Sequence, residues 1–240
     1  MNLLAFDTST DLMSVAVQRR VAGAGTTPPA PQIWQHTGPG GALTSATLIP
    51  LIQQLMAQAG LSFDQLDALV FGCGPGSFTG LRTACSVAQG LAFGAHIKVL
   101  PINTLLVVAE EARWQQASQQ AHYQVTALLD ARMDEMYVAR YGFHHGHWTP
   151  ISPDCLMRPE ALVPESDWPL AGNVFAAYGT RLAGLSPRID VLPTASALLR
   201  LAPALLAAGR AVPADQALPI YIRDKVAQTT AERAALKVVL

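Results

Sequence analysis

The sequence predicts an α/β protein of two lobes, each a mixed β-sheet flanked by helices, and two observations predict it. Apolar runs and turn clusters over residues 3–118 follow the order βββαβαβα, one whole α/β unit, after which the chain starts a similar order again. The second observation is an echo in register. DTSTDLMSVA, from Asp7, and DARMDEMYVA, from Asp130, share five identities in ten positions: Asp7 with Asp130, Asp11 with Asp134, Met13 with Met136, Val15 with Val138 and Ala16 with Ala139. An internal duplication accounts for both.

The elements follow in order. LLAFD and MSVAV flank the turn-forming TSTD, which is how a β-hairpin is written. From Val21 to Pro31 the composition shifts to Gly, Pro, Ala and Thr, a loop ahead of a third strand near Ile33 to His36, and residues 37–41 read as a second Gly-rich loop. Leu48, Leu51, Ile52, Leu55, Met56 and Ala59 recur at helical spacing; Gly60 ends that helix, and Pro50 bends it or marks a late start. Ser62 and Gln65 have the spacing of a capping box, and ALVFG reads as a buried strand.

Beyond a Gly-rich turn come a small-residue helix from about Gly80 to Phe93, the strand IKVLPI and a helix from about Thr104 to Ser118. In the second half QVTALLDA and the MYVARY segment form a hairpin, WPLAG and RIDVL are strands, and VFAAYGTRLAG and ALLRLAPALLAAG are helices. Two such halves in succession are the layout of the actin, sugar kinase and Hsp70 (ASKHA) fold, with lobes expected at 1–104 and 105–240. That fold usually holds a nucleotide between its lobes, but fold alone grants no function.

Composition narrows the function classes. Half of the 240 residues are hydrophobic, enough for a full core, and sixteen basic against seventeen acidic residues leave a net charge of −1. No run of Lys or Arg tracks a phosphate backbone, so the chain alone is not expected to bind nucleic acid tightly. The opening MNLLAFD has no basic leader region, and no apolar stretch reaches the roughly 18 residues of a membrane span, so a cytoplasmic protein is expected. Cys73, Cys85 and Cys155 form no CxxC pair and read as structural thiols, with neither a disulfide framework nor a zinc site.

The most specific segment is FGCGPGSFTGLR, residues 71–82, between a buried strand and a helix. Two readings stand for it. Gly74, Gly76 and Gly80 let the backbone approach a ligand closely while Ser77, Thr79 and the first helical N–H groups receive an anion, with Arg82 as the nearby cation. Alternatively the glycines make a tight strand-to-helix turn. It is not a Walker A loop, because no Gly-Lys-Ser/Thr follows. Asp7, Thr8 and Ser9, at the end of the first strand, are the groups an actin-like ATPase would present to magnesium and phosphate; as turn formers they would bond only nearby backbone.

Ala84, Val87, Ala88 and Leu91 give the following helix a smooth side fit for internal packing or for a partner helix. His144, His145 and His147 read as a polar hairpin turn rather than a metal site, no HxxxH or HExxH pattern appears, and no GxSxG context offers a nucleophile. The run PIYIRDKVA reads as a docked tail with Arg223 and Lys225 solvated.

GPGSFTGLR after a buried strand, together with LLAFDTST and MSVAV, closely resembles the TsaB (YeaZ) family, non-catalytic paralogues of TsaD. LLDARMDEMYVARY is similar to that family's LDARxxEVYxAxY segment, and PIYIRDKVA to its C-terminal PxYLR signature, so the resemblance covers nearly the whole chain. It implies a two-lobed ASKHA fold and a role in forming N6-threonylcarbamoyladenosine at position 37 of ANN-reading tRNAs. It also implies no catalysis by this subunit, a heterodimer with the metal-bearing TsaD, recruitment of the ATPase TsaE, and a homodimer when alone. Leu48, Leu51, Leu55, Ala84, Val87, Ala88 and Leu91, on two helices of the first lobe, would carry those contacts. No intrinsic cofactor or metal is implied; ATP or ADP would sit at the partner interface, and tRNA would be met only through the complex. One departure is Thr44, where the family commonly has His. The alternative is a small-molecule kinase or ATPase of the same fold; a metallopeptidase lacks any metal-ligand spacing.

Overall fold

The computed structural model describes residues 1–21, 29–182, 184 and 187–223. Strands β1 (Leu3–Asp7), β2 (Leu12–Arg19) and β3 (Gln32–Pro39) form an antiparallel meander. Strands β4 (Ala68–Gly74) and β5 (Val99–Asn103) extend it in parallel, giving the order β3-β2-β1-β4-β5. The second sheet contains β6 (His122–Asp130), β7 (Met136–His144), β8 (His147–Pro150), β10 (Leu170–Gly172) and β11 (Arg188–Asp190), ordered β11-β10-β6-β7-β8, with β9 (Cys155–Met157) on β7. Reading β6 for β1 and β7 for β2, the two sheets have one topology, with Asp7 and Asp130 at equivalent strand ends. This is the ASKHA fold, and the duplication read from DTSTDLMSVA holds in three dimensions.

Layering follows from strand composition. β1 is apolar up to its final Asp7, β4 carries no charge, and both are buried throughout, as expected of strands covered on both faces. Leu4 and Phe6 point toward α1 (Thr44–Ala59) and α2 (Phe78–Ala95), which share one face of the first sheet; Leu3 and Ala5 point the other way, toward α5 (Ala195–Ala207). α3 (Thr104–Ala117) leaves the first sheet yet packs Leu105, Val108, Ala109 and Ala112 against Val125, Ala127 and Leu129 of the second. α5 makes the reverse exchange, so residues assigned by sequence to the second lobe complete the first. Val212, which bridges Val99, and Ala217, buried against α2, do the same.

Where the helices meet, Glu110 is buried and accepts hydrogen bonds from Arg113 Nε at 3.1 Å, Arg200 Nε at 2.9 Å and Trp148 Nε1 at 2.9 Å. One carboxylate thereby ties α3, α5 and β8 together.

Several expectations change. Residues 37–39 continue β3 rather than forming a loop, because they pair with Leu12, Met13 and Ser14. α1 runs through Pro50 unbroken; the carbonyl that Pro50 cannot bond belongs to Ala46, which is exposed to water. The helix expected over 174–184 is a single turn, α4 (Phe175–Tyr178): the chain turns after Gly179, and Arg181 is drawn into ion pairs with Glu160 and Asp134. Leu48, Leu55, Ala84 and Ala88 face the first sheet inside the chain's own core, at 0–4% exposure, so they offer no surface to a partner. Leu51, Val87 and Leu91 are half-buried against the same core. Arg223 is not solvated: it pairs with Glu135 at 2.6 Å; Lys225 lies outside the described residues. Ser62 and Gln65 do form a capping box, on a 3-10 turn, and His145-Gly146 is the corner of the β7–β8 hairpin, both at positive φ. Among the described residues no helix is long and apolar enough to cross a membrane.

Candidate functional site

The two hairpin loops, 8–11 and 131–135, face each other across a cleft between the lobes, and the Asp11–Arg132 ion pair at 2.7 Å joins them. The cleft, of about 300 Å³, is lined by Ser9, Gly76, Ser77 and Phe78 on one side, Asp130, Arg132 and Tyr137 on the other, with Tyr221 and Arg223 of the tail at its mouth. Arg132, Met133 and Asp134 occupy three successive left-handed conformations. They are held by Arg132 N–H donating to Asp130 Oδ1 at 2.8 Å and by the Arg181–Asp134 pair.

The segment at 74–82 lies directly on the first loop. Ser77 N–H donates to the Ser9 carbonyl at 2.7 Å, and Thr8 Oγ1 donates to the Gly80 carbonyl at 2.7 Å. A Cβ at Gly80 would stand 1.9 Å from the Thr8 carbonyl oxygen, and one at Gly76 2.6 Å from that of Ser9. Only glycine permits this approach, so the glycines serve loop-on-loop packing; Ser77 caps α2 by accepting from Gly80 N–H.

Asp7 is buried and does not line the cleft. Its Oδ1 accepts from Ser9 N–H at 2.9 Å and Ser9 Oγ at 2.6 Å, while Oδ2 has no partner and sits where a Cβ on Gly72 would be, at 1.8 Å. Burial pushes its carboxyl up to about 6, against the lowering by the Ser9 bonds. The neighbouring Cys73 thiol is pushed up to about 12, also by burial, and is not a poised nucleophile.

Of the nine residues considered for an anion or nucleotide, the structure brings Ser9, Gly76 and Ser77 to the cleft. Asp7 and Thr8 are buried beneath it, Gly74 N–H donates to Thr104 Oγ1 at 3.1 Å, and Gly80 abuts Thr8. Thr79 is exposed on the first turn of α2. Arg82 lies outside the lining: its guanidinium stacks 3.7 Å over Phe78 and its Nε donates to Tyr221 Oη at 3.0 Å. Tyr221 thus joins the C-terminal motif to the glycine motif, a contact that only the fold discloses. Thr44 is buried with its hydroxyl unpartnered.

On the outer side of α2, Ser86, Gly90, Phe93 and Gly94 are exposed, Phe93 at 77%, with open space around both glycines. Leu43 and Ile49, at the start of the neighbouring α1, are exposed as well.

A family model described as "TsaD: tRNA N6-adenosine threonylcarbamoyltransferase" matches residues 42–231. The chain is 31% identical to the tRNA threonylcarbamoyladenosine biosynthesis protein TsaB of Escherichia coli, covering 95% of this chain and 96% of the relative. It is 33% identical to the TsaB of Haemophilus influenzae, over 94% and 95%. Among solved structures, YeaZ from Pseudomonas aeruginosa superposes with a TM-score of 0.78 at 36% identity, covering 92% of this chain and 99% of that one. Full-length similarity to these proteins, in a fold whose two glycine-tight loops are built from the GPGSFTGLR and DTST motifs, places the chain in the TsaB (YeaZ) family of tRNA threonylcarbamoyladenosine biosynthesis proteins.

Proposed function

We propose that this chain is a non-catalytic partner subunit, cytoplasmic, of the assembly that forms N6-threonylcarbamoyladenosine at position 37 of ANN-reading tRNAs. It binds a TsaD paralogue, recruits the TsaE ATPase, and pairs with itself when alone. The observation that supports the non-catalytic reading is the burial of Asp7 outside the cleft lining. In a working ATPase of this fold that carboxylate would face the phosphates; here it is buried against Gly72 and does not line the cleft. The hydroxyls of Thr8 and Ser9 are likewise committed to Gly80 and Asp7.

The contact surface is assigned to the outer face of α1 and α2. Ser86, Gly90 and Gly94 allow a partner backbone to approach closely, and the exposed Phe93 is an apolar anchor of the kind that dominates interfaces. This replaces the inward-facing Leu48, Leu55, Ala84 and Ala88. ATP or ADP belongs at the partner interface rather than in this chain's cleft, and tRNA is met through the complex, consistent with a net charge of −1.

Reconstitution of tRNA modification tests the reading. The chain alone should form no threonylcarbamoyladenosine, and a mixture of TsaD paralogue, TsaE and tRNA should depend on its addition. Turnover of ATP or of a small-molecule substrate by the isolated chain would favour a kinase or ATPase instead.

A further inference from the structure

The histidines that read as a hairpin turn gain a neighbour in the fold. His144 at the end of β7 stands directly opposite His122 at the start of β6, and their Nδ1 atoms are 2.9 Å apart. The ring of His145 lies edge-on to that of His122, centroids 4.7 Å apart. All three are exposed. The pair opens onto a concavity of about 560 Å³ that Gln124, Asp167 and Trp168 also line. It lies in the second sheet, at the opposite end of β6 and β7 from the 131–135 loop.

We propose that His122 and His144 form a two-imidazole clamp for a first-row transition-metal dication, Zn²⁺, Ni²⁺ or Cu²⁺. At 2.9 Å one ring nitrogen presents its lone pair to the N–H of the other, so the two Nδ1 atoms face each other at close range and a turn of both exposed rings aims them at one point. On metal binding the donor ring changes tautomer, its Nδ1 proton passing by way of solvent to its own Nε2, so that each ring keeps one N–H and offers its Nδ1 lone pair to the metal. Zn–N bonds of about 2.0–2.1 Å in a tetrahedral site set the two nitrogens about 3.3 Å apart, so the pair opens by a few tenths of an ångström within its rotamer freedom. Facing strands fix both Cα positions, which removes most of the ordering cost of chelation. Imidazole selects Zn²⁺, Ni²⁺ and Cu²⁺ over Mg²⁺ and Ca²⁺. Among the described residues no three His, Cys, Asp or Glu side chains form a ready cage, so water completes the coordination.

Calorimetric titration of the tag-free full chain with zinc chloride and with nickel chloride tests the clamp. One site per chain with micromolar affinity is expected, unchanged in His147→Ala. His122→Ala and His144→Ala should each weaken it at least about tenfold, the minimum expected when a ligand rather than an outer-shell group is lost. Because both side chains are exposed, the variants should keep the native circular dichroism spectrum. Absence of binding at millimolar metal, or binding that survives in the double variant, would overturn the assignment.

Discussion

Thr8 Oγ1 donates a hydrogen bond to the backbone carbonyl of Gly80 at 2.7 Å, while the Thr8 carbonyl occupies the space that a side chain on residue 80 would need. The two motif loops are therefore one packed unit, and glycine at 80 is a steric requirement at an ordinary helical φ. Gly80→Ala should lower stability by about 3 kcal/mol, the range of overpacked buried sites. Gly90→Ala in the same helix, with nothing within 4 Å, should raise it by roughly 0.5–1 kcal/mol. Denaturant midpoints of the two variants check the contrast; equal effects would contradict the packing account.

Asp7 makes stability depend on pH in an unusual direction. Its folded-state value, about 6, lies above the ordinary 3.8, so folding favours the neutral carboxyl. That contribution is complete below about 3.8 and is lost as pH rises through about 6, amounting to about 3 kcal/mol. In Asp7→Asn, stability relative to the native chain should rise across this window and level off above it. Parallel pH profiles for the two proteins would show that the carboxyl is not desolvated.

Glu110 accepts from three donors on three elements, so removing it takes the buried carboxylate from Arg113 and leaves Arg200 with Glu111 as its one ion-pair partner. Glu110→Ala should cost about 3–5 kcal/mol, as for other broken buried ion pairs. Thermal unfolding checks this, and a loss under about 1 kcal/mol would mean that water replaces the carboxylate.

The docked tail depends on Arg223, whose side chain is 13% exposed and pairs with Glu135. Arg223→Ala should cost about 1–2 kcal/mol and release residues 219–223, which hydrogen exchange reads at the Ile220 amide, bonded to the Cys73 carbonyl at 2.7 Å. Unchanged protection at Ile220 would contradict this.

Local physics made much of this fold legible. Both hairpins, the Ser62–Gln65 cap and the glycine turn are written in neighbouring residues, and the echo of Asp7 in Asp130 disclosed the second lobe. What stayed hidden depends on pairings distant in sequence. The periodicity of α1 and α2 gives an apolar face, but not that Ala88 looks inward while Phe93 looks out, because small residues pattern weakly. The exchange of α3 and α5 between sheets has no local signal, nor does Glu110 meeting Trp148 and Arg200. Asp7 reads in the sequence as a ligand for magnesium or as a turn former, and the burial of its free oxygen against Gly72 has no local signal.

Light scattering after size exclusion, of this chain mixed with its TsaD paralogue, tests the partner-subunit account most directly when repeated with Phe93→Glu. Phe93 is 77% exposed, so the variant should fold as the native chain does. The account predicts a complex with the native chain and its loss with Phe93→Glu. A native chain that stays separate from the paralogue, or a complex indifferent to the charge at 93, would contradict it.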